Sequence, residues 1–438
     1  MKIQEHIDKI SWSLFDKGLM VIFGLVSFFQ VKIIPVTEEF ALYFLLSQLL
    51  NWLFAVSDSL ALQNIIQFGA IKENRPKVNL YAVLWHVGIG LGIPLLIFIF
   101  REKFAEAFNE PGLAEMALVL PALAALALPR NFVMKLLIRD HRFRDVFIVN
   151  LFYFGIMSFL TFYYYFDNRL FDFDLMIQIL LAGNGLSSAV SLIIARKELI
   201  FGTTGDFNRK KMFTFSLPYF YYATLHSIPQ KLDSYILKAL GFPTATIGVY
   251  GAVKILYRVF EEGANATYGL IYPVSVKLTT FNRIEELKSV MTKFVSFMLV
   301  LIIPAVLLLN LGLTEFIVSF FDNPKYDAAV GMFNFMVIGA IAIPFNLLAL
   351  VISASGKPKI TLKYVFISVV VSMAGFLAAG YFKNEMLIPL GLIGYNFTLG
   401  ILSFMYIKRT YGFPIKMVLR AYSDTLAFIK EKIKPDKK

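Results

Sequence analysis

Twelve apolar runs, each long enough to cross a bilayer as a helix, dominate this sequence of 438 residues. A transmembrane helix needs about 20 mostly apolar residues, and helices or closed barrels are the structures that satisfy their backbone hydrogen bonds in lipid. Hydrophobic residues make up 58% of the chain and charged residues only 16%, which excludes a soluble globule and a disordered chain. The sequence predicts an all-α polytopic membrane protein with twelve transmembrane helices, at 11–34, 39–69, 79–100, 112–138, 145–166, 173–195, 212–238, 245–276, 286–310, 326–353, 360–381 and 386–407.

Lysine and arginine residues lie mainly on one side of the predicted membrane. When the N-terminus, every second loop and the C-terminal tail are assigned to one side, that side holds 29 of them and the other holds 7. Cytoplasmic loops carry such an excess. The distribution predicts a multi-pass protein of the cell inner (plasma) membrane with both termini in the cytoplasm. It also explains the net charge of +12 without invoking nucleic acid.

Several kinds of chemistry are excluded by what the sequence lacks. The chain has no cysteine, and its four histidines show no metal-ligand spacing. It has no G-x-x-x-x-G-K-[ST] loop for nucleotide phosphates. The longest outer loops, around 101–112 and 310–326, are too short for a catalytic domain. We therefore predict a protein that is not an enzyme and has no cofactor or metal, with a membrane polysaccharide polymerase or ligase as a weaker alternative.

Two internal matches indicate that the chain consists of two similar halves. Residues 39–63 align with 246–270 at an offset of 207, and 128–153 align with 343–368 at an offset of 215. Repeats of this kind are frequent in transporters. The predicted organisation is an N-terminal six-helix lobe at 1–200, a cytoplasmic linker at 201–211, a C-terminal six-helix lobe at 212–410 and a basic cytoplasmic tail at 411–438.

Three short motifs resemble those of the polysaccharide biosynthesis flippases, the Wzx-type O-antigen family of the multidrug/oligosaccharidyl-lipid/polysaccharide exporter (MOP) superfamily. EEFALYFLLSQLLNWLFAVSDSLALQ resembles their second-helix pattern E-x-G-x-Y … D-x-G, although Ala41 and Leu60 stand where the family has glycine. Asp233, Gly248 and Tyr250 resemble the hallmark that joins their seventh and eighth helices, and LLIRDHRFRDVFIVNL resembles the basic turn after their fourth.

The resemblance implies a function and a set of partners. It implies a V-shaped, MATE-like, two-lobed transporter that flips undecaprenyl-pyrophosphate-linked oligosaccharide, such as an O-antigen repeat unit of lipopolysaccharide, by ion-coupled alternating access. Its implied partners are that lipid-linked oligosaccharide, a coupling cation (H⁺ or Na⁺), inner-membrane lipids and the polysaccharide polymerase machinery. An ion-coupled multidrug exporter or antiporter of the same superfamily is the alternative.

The eighth run holds the densest set of ionisable residues: Lys254, Arg258, Glu261 and Glu262, followed by Asn265. Spacings of four, three and four place 254, 258, 261 and 265 on one helix face. Charges at membrane depth usually face a cavity or one another. We interpret Lys254 and Arg258 as cations that bind a pyrophosphate headgroup, and Glu261 or Glu262 as the site of the coupling ion. Alternatively, Arg258 pairs with the two glutamates as an interhelical lock.

Other ionisable residues in the apolar runs have open interpretations. Arg130 either lines the cationic cavity or extends to the cytoplasmic surface. Asp58 either binds the coupling ion or forms a salt bridge or helix cap. Lys231 and Asp233, near the outer end of the seventh run, are interpreted as a local surface pair.

The topology can be tested with single cysteines, because the chain contains none. Cysteines at positions 207 and 435 should escape an impermeant thiol reagent in intact cells and react after permeabilisation, because the loop charges place both in the cytoplasm. A cysteine at position 325, in a predicted outer loop, is the positive control. Labelling of 207 or 435 in intact cells would contradict the predicted topology.

Overall fold

A computed structural model describes residues 3–203, 207–413, 415–420 and 422–423, and these residues form twelve long helices. They are α1 (Ile3–Ile33), α2 (Thr37–Phe68), α3 (Arg75–Ile99), α4 (Gly112–Arg139), α5 (Phe143–Phe166), α6 (Phe173–Ile194), α7 (209–239), α8 (Thr244–Thr280), α9 (Ile284–Ser319), α10 (Pro324–Ala354), α11 (Pro358–Phe382) and α12 (Leu390–Tyr411). Each corresponds to one predicted apolar run, which confirms the twelve-helix, all-α fold. Most of the predicted tail, 411–438, lies outside the described residues.

Ten of the twelve helices are, within the described residues, long and apolar enough to cross a membrane on their own. The other two are α7 and α8, the helices that carry Asp233 and the charged residues of the eighth run. Polar helices of a membrane protein require protein or water around them rather than lipid alone. Of the twelve helices, α7 and α8 are therefore the most suited to carry a functional site.

Three of the helices contain a π-helical turn: Asp58–Leu62 in α2, Ile228–Leu232 in α7 and Leu309–Leu313 in α9. The turn in α9 includes Gly312 at φ +118°, a conformation that residues with a Cβ avoid. A π-helical turn adds one residue to the helix and often marks a functional position. The turn in α2 begins at Asp58, and the turn in α7 ends just before Asp233.

The described residues divide into two compact units, at residues 1–252 and 253–438. The core of the first lies where α2, α3, α4 and α5 meet, around Leu62, Phe132 and Leu136. The core of the second lies between α9, α10 and α12 and includes Val418, whose carbonyl oxygen accepts a hydrogen bond from Ser296 Oγ at 2.9 Å. The contacts thus assign 209–252 to the first unit, while the repeat-based lobes at 1–200 and 212–410 stay a prediction.

The junction between α7 and α8 is held by the residues that carry the sequence motif. Tyr250 donates its hydroxyl proton to Asp233 Oδ2 at 2.5 Å, and both side chains are fully buried. Asp233 Oδ1 also accepts a hydrogen bond from the backbone N–H of Ser234 at 2.9 Å. The interpretation of Asp233 as part of a surface pair is wrong, because these bonds satisfy the carboxylate inside the first unit.

Gly248 completes this junction by letting α8 approach the beginning of α2. A Cβ at position 248 would press against the carbonyl oxygen of Thr37 and lie 2.6 Å from its Cγ2. Such contacts are far inside van der Waals distance, so only glycine fits there without a shift of backbone. The motif glycine is explained by close helix packing.

Substitutions of two glycines on α8, one tightly packed and one in open space, test this explanation. Gly248→Ala should lower the free energy of unfolding by about 1–3 kcal/mol, because the added methyl group overpacks the α2–α8 contact. Gly263→Ala on the same helix meets nothing within 4 Å. It should be neutral or stabilising by about 0.5–1 kcal/mol through helix propensity. Thermal unfolding of the purified protein measures both, and equal effects would contradict the packing explanation.

Candidate functional site

A chain of polar side chains fixes the rotation of α8 within the second unit. Asn396 Nδ2 on α12 donates to the hydroxyl of Tyr257 on α8 at 3.0 Å, and Asn346 Nδ2 on α10 donates to Asn396 Oδ1 at 3.0 Å. Tyr257 is fully buried. Because neighbouring residues of a helix point about 100° apart, an inward Tyr257 turns Arg258 away from this core.

Arg258 and Glu262 lie one turn apart on the exposed side of α8. Their closest side-chain atoms, Arg258 Nε and Glu262 Oε1, are 3.9 Å apart, and the side chains are 49% and 53% exposed. Asn265 is exposed on the same side. An exposed i,i+4 pair contributes about 0.3–0.5 kcal/mol, so it binds the guanidinium only weakly. Arg258 is therefore accessible to an anion.

Lys254 and Glu261 lie on the other edge of the predicted polar face. Lys254 is only 7% exposed and Glu261 is half-buried, on the same side of α8 as Tyr250 and Tyr257. The face predicted from spacing thus lies at the border between the buried and the exposed surface of α8. In the structure Lys254 is buried, Glu261 is half-buried, and Arg258 and Asn265 are exposed.

Asp58 is held in the first unit by a lysine of α4. Its Oδ1 lies 2.8 Å from Lys135 Nζ, and its Oδ2 accepts a hydrogen bond from Gln63 Nε2 at 2.8 Å. Both ionic side chains are partly buried. The salt-bridge interpretation of Asp58 thus finds its partner in Lys135, one turn before the end of α4.

Arg130 belongs to a buried network that joins α1, α4 and α5. Its Nη2 donates to Asn150 Oδ1 at 2.6 Å, and Asn150 Nδ2 donates to Asp16 Oδ1 at 2.6 Å. The guanidinium carbon also lies 4.0 Å from the centre of the Tyr153 ring. Asn150 and Asp16 are buried. The amide therefore connects a cation and an anion that would each be costly to bury alone.

Sequence reasoning missed Asp16 and Asn150. The signal for Asp16 was a carboxylate that follows apolar residues well inside the first run, but its neighbour Lys17 makes the pair resemble an ordinary surface charge pair. Asn150 carries no charge and stands alone in an apolar helix. Their association appears only when α1 and α5 pack together.

The turn after α4, predicted as a basic turn, is an ion-pair cluster. Arg142 lies 2.6 Å from Asp145 and 2.5 Å from Glu198, and Asp140 pairs with Arg75 at 2.9 Å and with Arg139 at 2.7 Å. Burial raises the pKa of Asp140, but the arginines outweigh this effect and hold it below its ordinary value. Likewise, burial lowers the pKa of Arg142, while its two carboxylates hold it above the ordinary value. The cluster fixes the loops of the first unit.

A smaller cluster closes the opposite end of the same unit. Lys238 Nζ donates to Glu110 Oε2 at 3.1 Å and to Thr244 Oγ1 at 3.0 Å, and Thr244 also donates to Glu110. Burial raises the pKa of Glu110, but these two donors outweigh it and keep the pKa below its ordinary value. The contacts join the loop before α4 to the end of α7 and the beginning of α8.

The buried network around Arg130 predicts a strong effect on stability. Arg130→Gln should lower the free energy of unfolding by about 3–5 kcal/mol, because it leaves Asp16 buried without its cation, and Asp16→Asn combined with it should restore most of the loss. Arg169→Gln is the matched control. Arg169 pairs with Asp167 and lies 5.1 Å from the Tyr164 ring, but its pair is exposed. Lost transport by Arg130→Gln at unchanged stability would instead favour a binding role.

Comparison with known proteins shows the fold. Neither a family model nor a curated protein matches the chain. Among solved structures, it is similar to an inward-facing multidrug resistance MATE family transporter of the MOP superfamily, at 11% identity and a TM-score of 0.71, covering 89% of this chain and 94% of that one. It is similar to the lipid II flippase MurJ in an inward closed conformation, at 14% identity and a TM-score of 0.71, covering 98% and 94%. It is also similar to a mutant form of the Vibrio cholerae MATE transporter VcmN, at 14% identity and a TM-score of 0.62, covering 92% and 95%. The chain has the fold of these transporters.

Proposed function

We propose that this protein is a flippase that moves undecaprenyl-pyrophosphate-linked oligosaccharide across the inner membrane by ion-coupled alternating access. The observation that carries the proposal is Arg258, a half-exposed guanidinium on α8 whose closest carboxylate among the described residues, that of Glu262, lies 3.9 Å away. The fold shared with a lipid II flippase supports it, as do the motifs that resemble Wzx-type flippases. Inner-membrane lipids and the polysaccharide polymerase machinery are the further partners that it implies.

Arg258 suits the headgroup of such a substrate for electrostatic reasons. A pyrophosphate carries at least two negative charges, and moving it through hydrocarbon alone costs many kcal/mol. An arginine replaces its lost water with two parallel N–H···O bonds, which a lysine does not. Lys254 and Arg130 complete the proposed cationic set. Both are less accessible than Arg258, so we expect them to contribute after a conformational change.

Acidic residues close to these cations suit the coupling step. Glu262 is exposed one turn from Arg258, and Glu261 lies beside it on the half-buried edge of α8. Protonation or cation binding at either glutamate changes the charge next to the proposed headgroup site. Asp58 is a separate candidate for the coupling ion, because neutralising it would release Lys135 from a 2.8 Å salt bridge.

A multidrug exporter is the second candidate function. It is favoured by the MATE family structure, whose TM-score of 0.71 equals that of the lipid II flippase. The two functions differ in the charge that the site must attract. An exporter of cationic drugs would depend on Glu261, Glu262 or Asp58 and would tolerate the loss of Arg258.

Substitutions of two arginines in the second unit, one at the proposed site and one as a control, test the proposal. Arg258→Ala should abolish glycan export at normal protein abundance, because the lost ion pair with Glu262 costs only about 0.3–0.5 kcal/mol. Arg258→Lys should keep part of the export, since charge remains but two-point contact is lost. Arg283→Ala is the matched control, because its pair with Glu286 is equally exposed, at 51% and 53%, and lies at the beginning of α9. Surface glycan in cells that depend on this protein is the measurement.

Three results would oppose the headgroup role. Full glycan export by Arg258→Ala would rule out a role of Arg258 in binding the headgroup. Low abundance of Arg258→Ala that is rescued by a second substitution, Glu262→Ala, would identify a structural lock. Export lost equally in Arg283→Ala would show that the effect is not specific to the site.

A further inference from the structure

A groove opens in the first unit between the end of α2 and the beginning of α7. It has a volume of about 490 Å³ and is lined by Phe68, Asn208, Lys210, Lys211, Thr214 and Phe215. We call it the α2–α7 groove. None of its residues belongs to the α8 site or to the ion-pair clusters described above.

The floor of the groove is aromatic. The Phe68 ring lies 5.2 Å from the ring of Phe207 and 5.4 Å from that of Phe215, which in turn lies 5.1 Å from Tyr219. Aromatic rings that are 4.5–7 Å apart attract one another, so these side chains hold each other in place. The floor is therefore a preformed apolar surface that does not need to be assembled when a ligand binds.

The rim of the groove is cationic. Lys210 and Lys211 are both exposed, and neither ammonium group forms an ion pair with any residue that the structure describes. Asn208 Oδ1 accepts a hydrogen bond from the backbone N–H of Lys210 at 2.8 Å, which fixes the turn on which both lysines stand. The sequence DFNRKK at 206–211 contains three basic residues and one acid, so the rim keeps a net positive charge.

The groove lies at the helix ends that the charge distribution predicts to face the cytoplasm. Anionic lipids of the cytoplasmic leaflet attract basic residues that lie beside a membrane helix. An anionic phospholipid presents a phosphodiester directly above its apolar chains. The groove offers both kinds of contact, because exposed lysines and phenylalanine rings line it together.

We propose that the α2–α7 groove binds one anionic phospholipid of the inner leaflet. Its phosphodiester contacts Lys210 and Lys211, and the first carbons of its acyl chains lie on Phe68 and Phe215. A lipid bound in this way connects α2 to α7 and stabilises the first unit. The proposal concerns a lipid that is not transported and does not depend on the substrate proposed above.

The test uses the full-length protein in detergent and two lipids, phosphatidylglycerol and phosphatidylcholine. Native mass spectrometry measures the affinity for each lipid, and the thermal unfolding midpoint measures stabilisation. The wild type should bind phosphatidylglycerol more tightly. Lys210→Gln/Lys211→Gln should weaken that binding by about 10–30-fold, as expected for the loss of two basic residues near a phosphate. Thr214→Trp, which fills the groove and keeps every charge, should weaken it as well.

Lys359→Gln/Lys363→Gln is the matched control, because both lysines are exposed and lie at the predicted cytoplasmic end of α11. It should retain the wild-type affinity. An equal loss in this control would show a general effect of basic charge and overturn the site. Equal wild-type affinity for the two lipids would also overturn it. So would stabilisation by inorganic phosphate that matches phosphatidylglycerol, because that result indicates a free-anion site. Equal helical circular dichroism in all variants confirms that they fold.

Discussion

The cost of an unpartnered charge inside a bilayer determines how ionisable side chains are arranged in this protein. Asp16 and Arg130 are joined through Asn150, and Asp58 is paired with Lys135. Asp233 is satisfied by Tyr250 and a backbone N–H. These partners are side chains or backbone groups of the first unit, so each pairing also stabilises that unit. Arg258 differs, because its nearest carboxylate lies at 3.9 Å on an exposed surface. A membrane protein keeps such a guanidinium only where water or an anionic ligand reaches it.

The sequence predicted the limits of several helices closely, but it did not predict which side of a helix is buried. Helix limits follow from local hydropathy, and α4, α5 and α6 begin and end within about two residues of the expected positions. Helix rotation depends on distant partners. The orientation of α8 is set by the bond between Tyr257 and Asn396, which are 139 residues apart. Spacing along α8 grouped Lys254 with Arg258, whereas this long-range bond separates them into a buried and an exposed residue.

The π-helical turns are a second reason why residue spacing does not predict which side chains share one side of a helix. An inserted residue rotates the following part of a helix by about 100° relative to the preceding part. In α2 the turn begins at Asp58, so the residues after the turn do not continue the helix face of the residues before it. In α7 the turn ends just before Asp233 and directs that carboxylate into the core rather than toward the surface. A regular helical periodicity of 3.6 residues in the sequence does not reveal either of these two rotations.

The motif that resembles the flippases has a structural explanation that does not involve cargo. Asp233 and Tyr250 close the junction between α7 and α8, and Gly248 lets α8 approach Thr37. A transporter of this fold that joins its seventh and eighth helices by the same contacts needs the same three residues, whatever it carries. The motif thus indicates the fold, in agreement with similarity to both a MATE transporter and a lipid II flippase. In the proposed flippase, we therefore expect selectivity to arise from side chains that the junction leaves accessible. Arg258, Glu262 and Asn265 are exposed polar residues of α8 that lie about two to four turns beyond the motif.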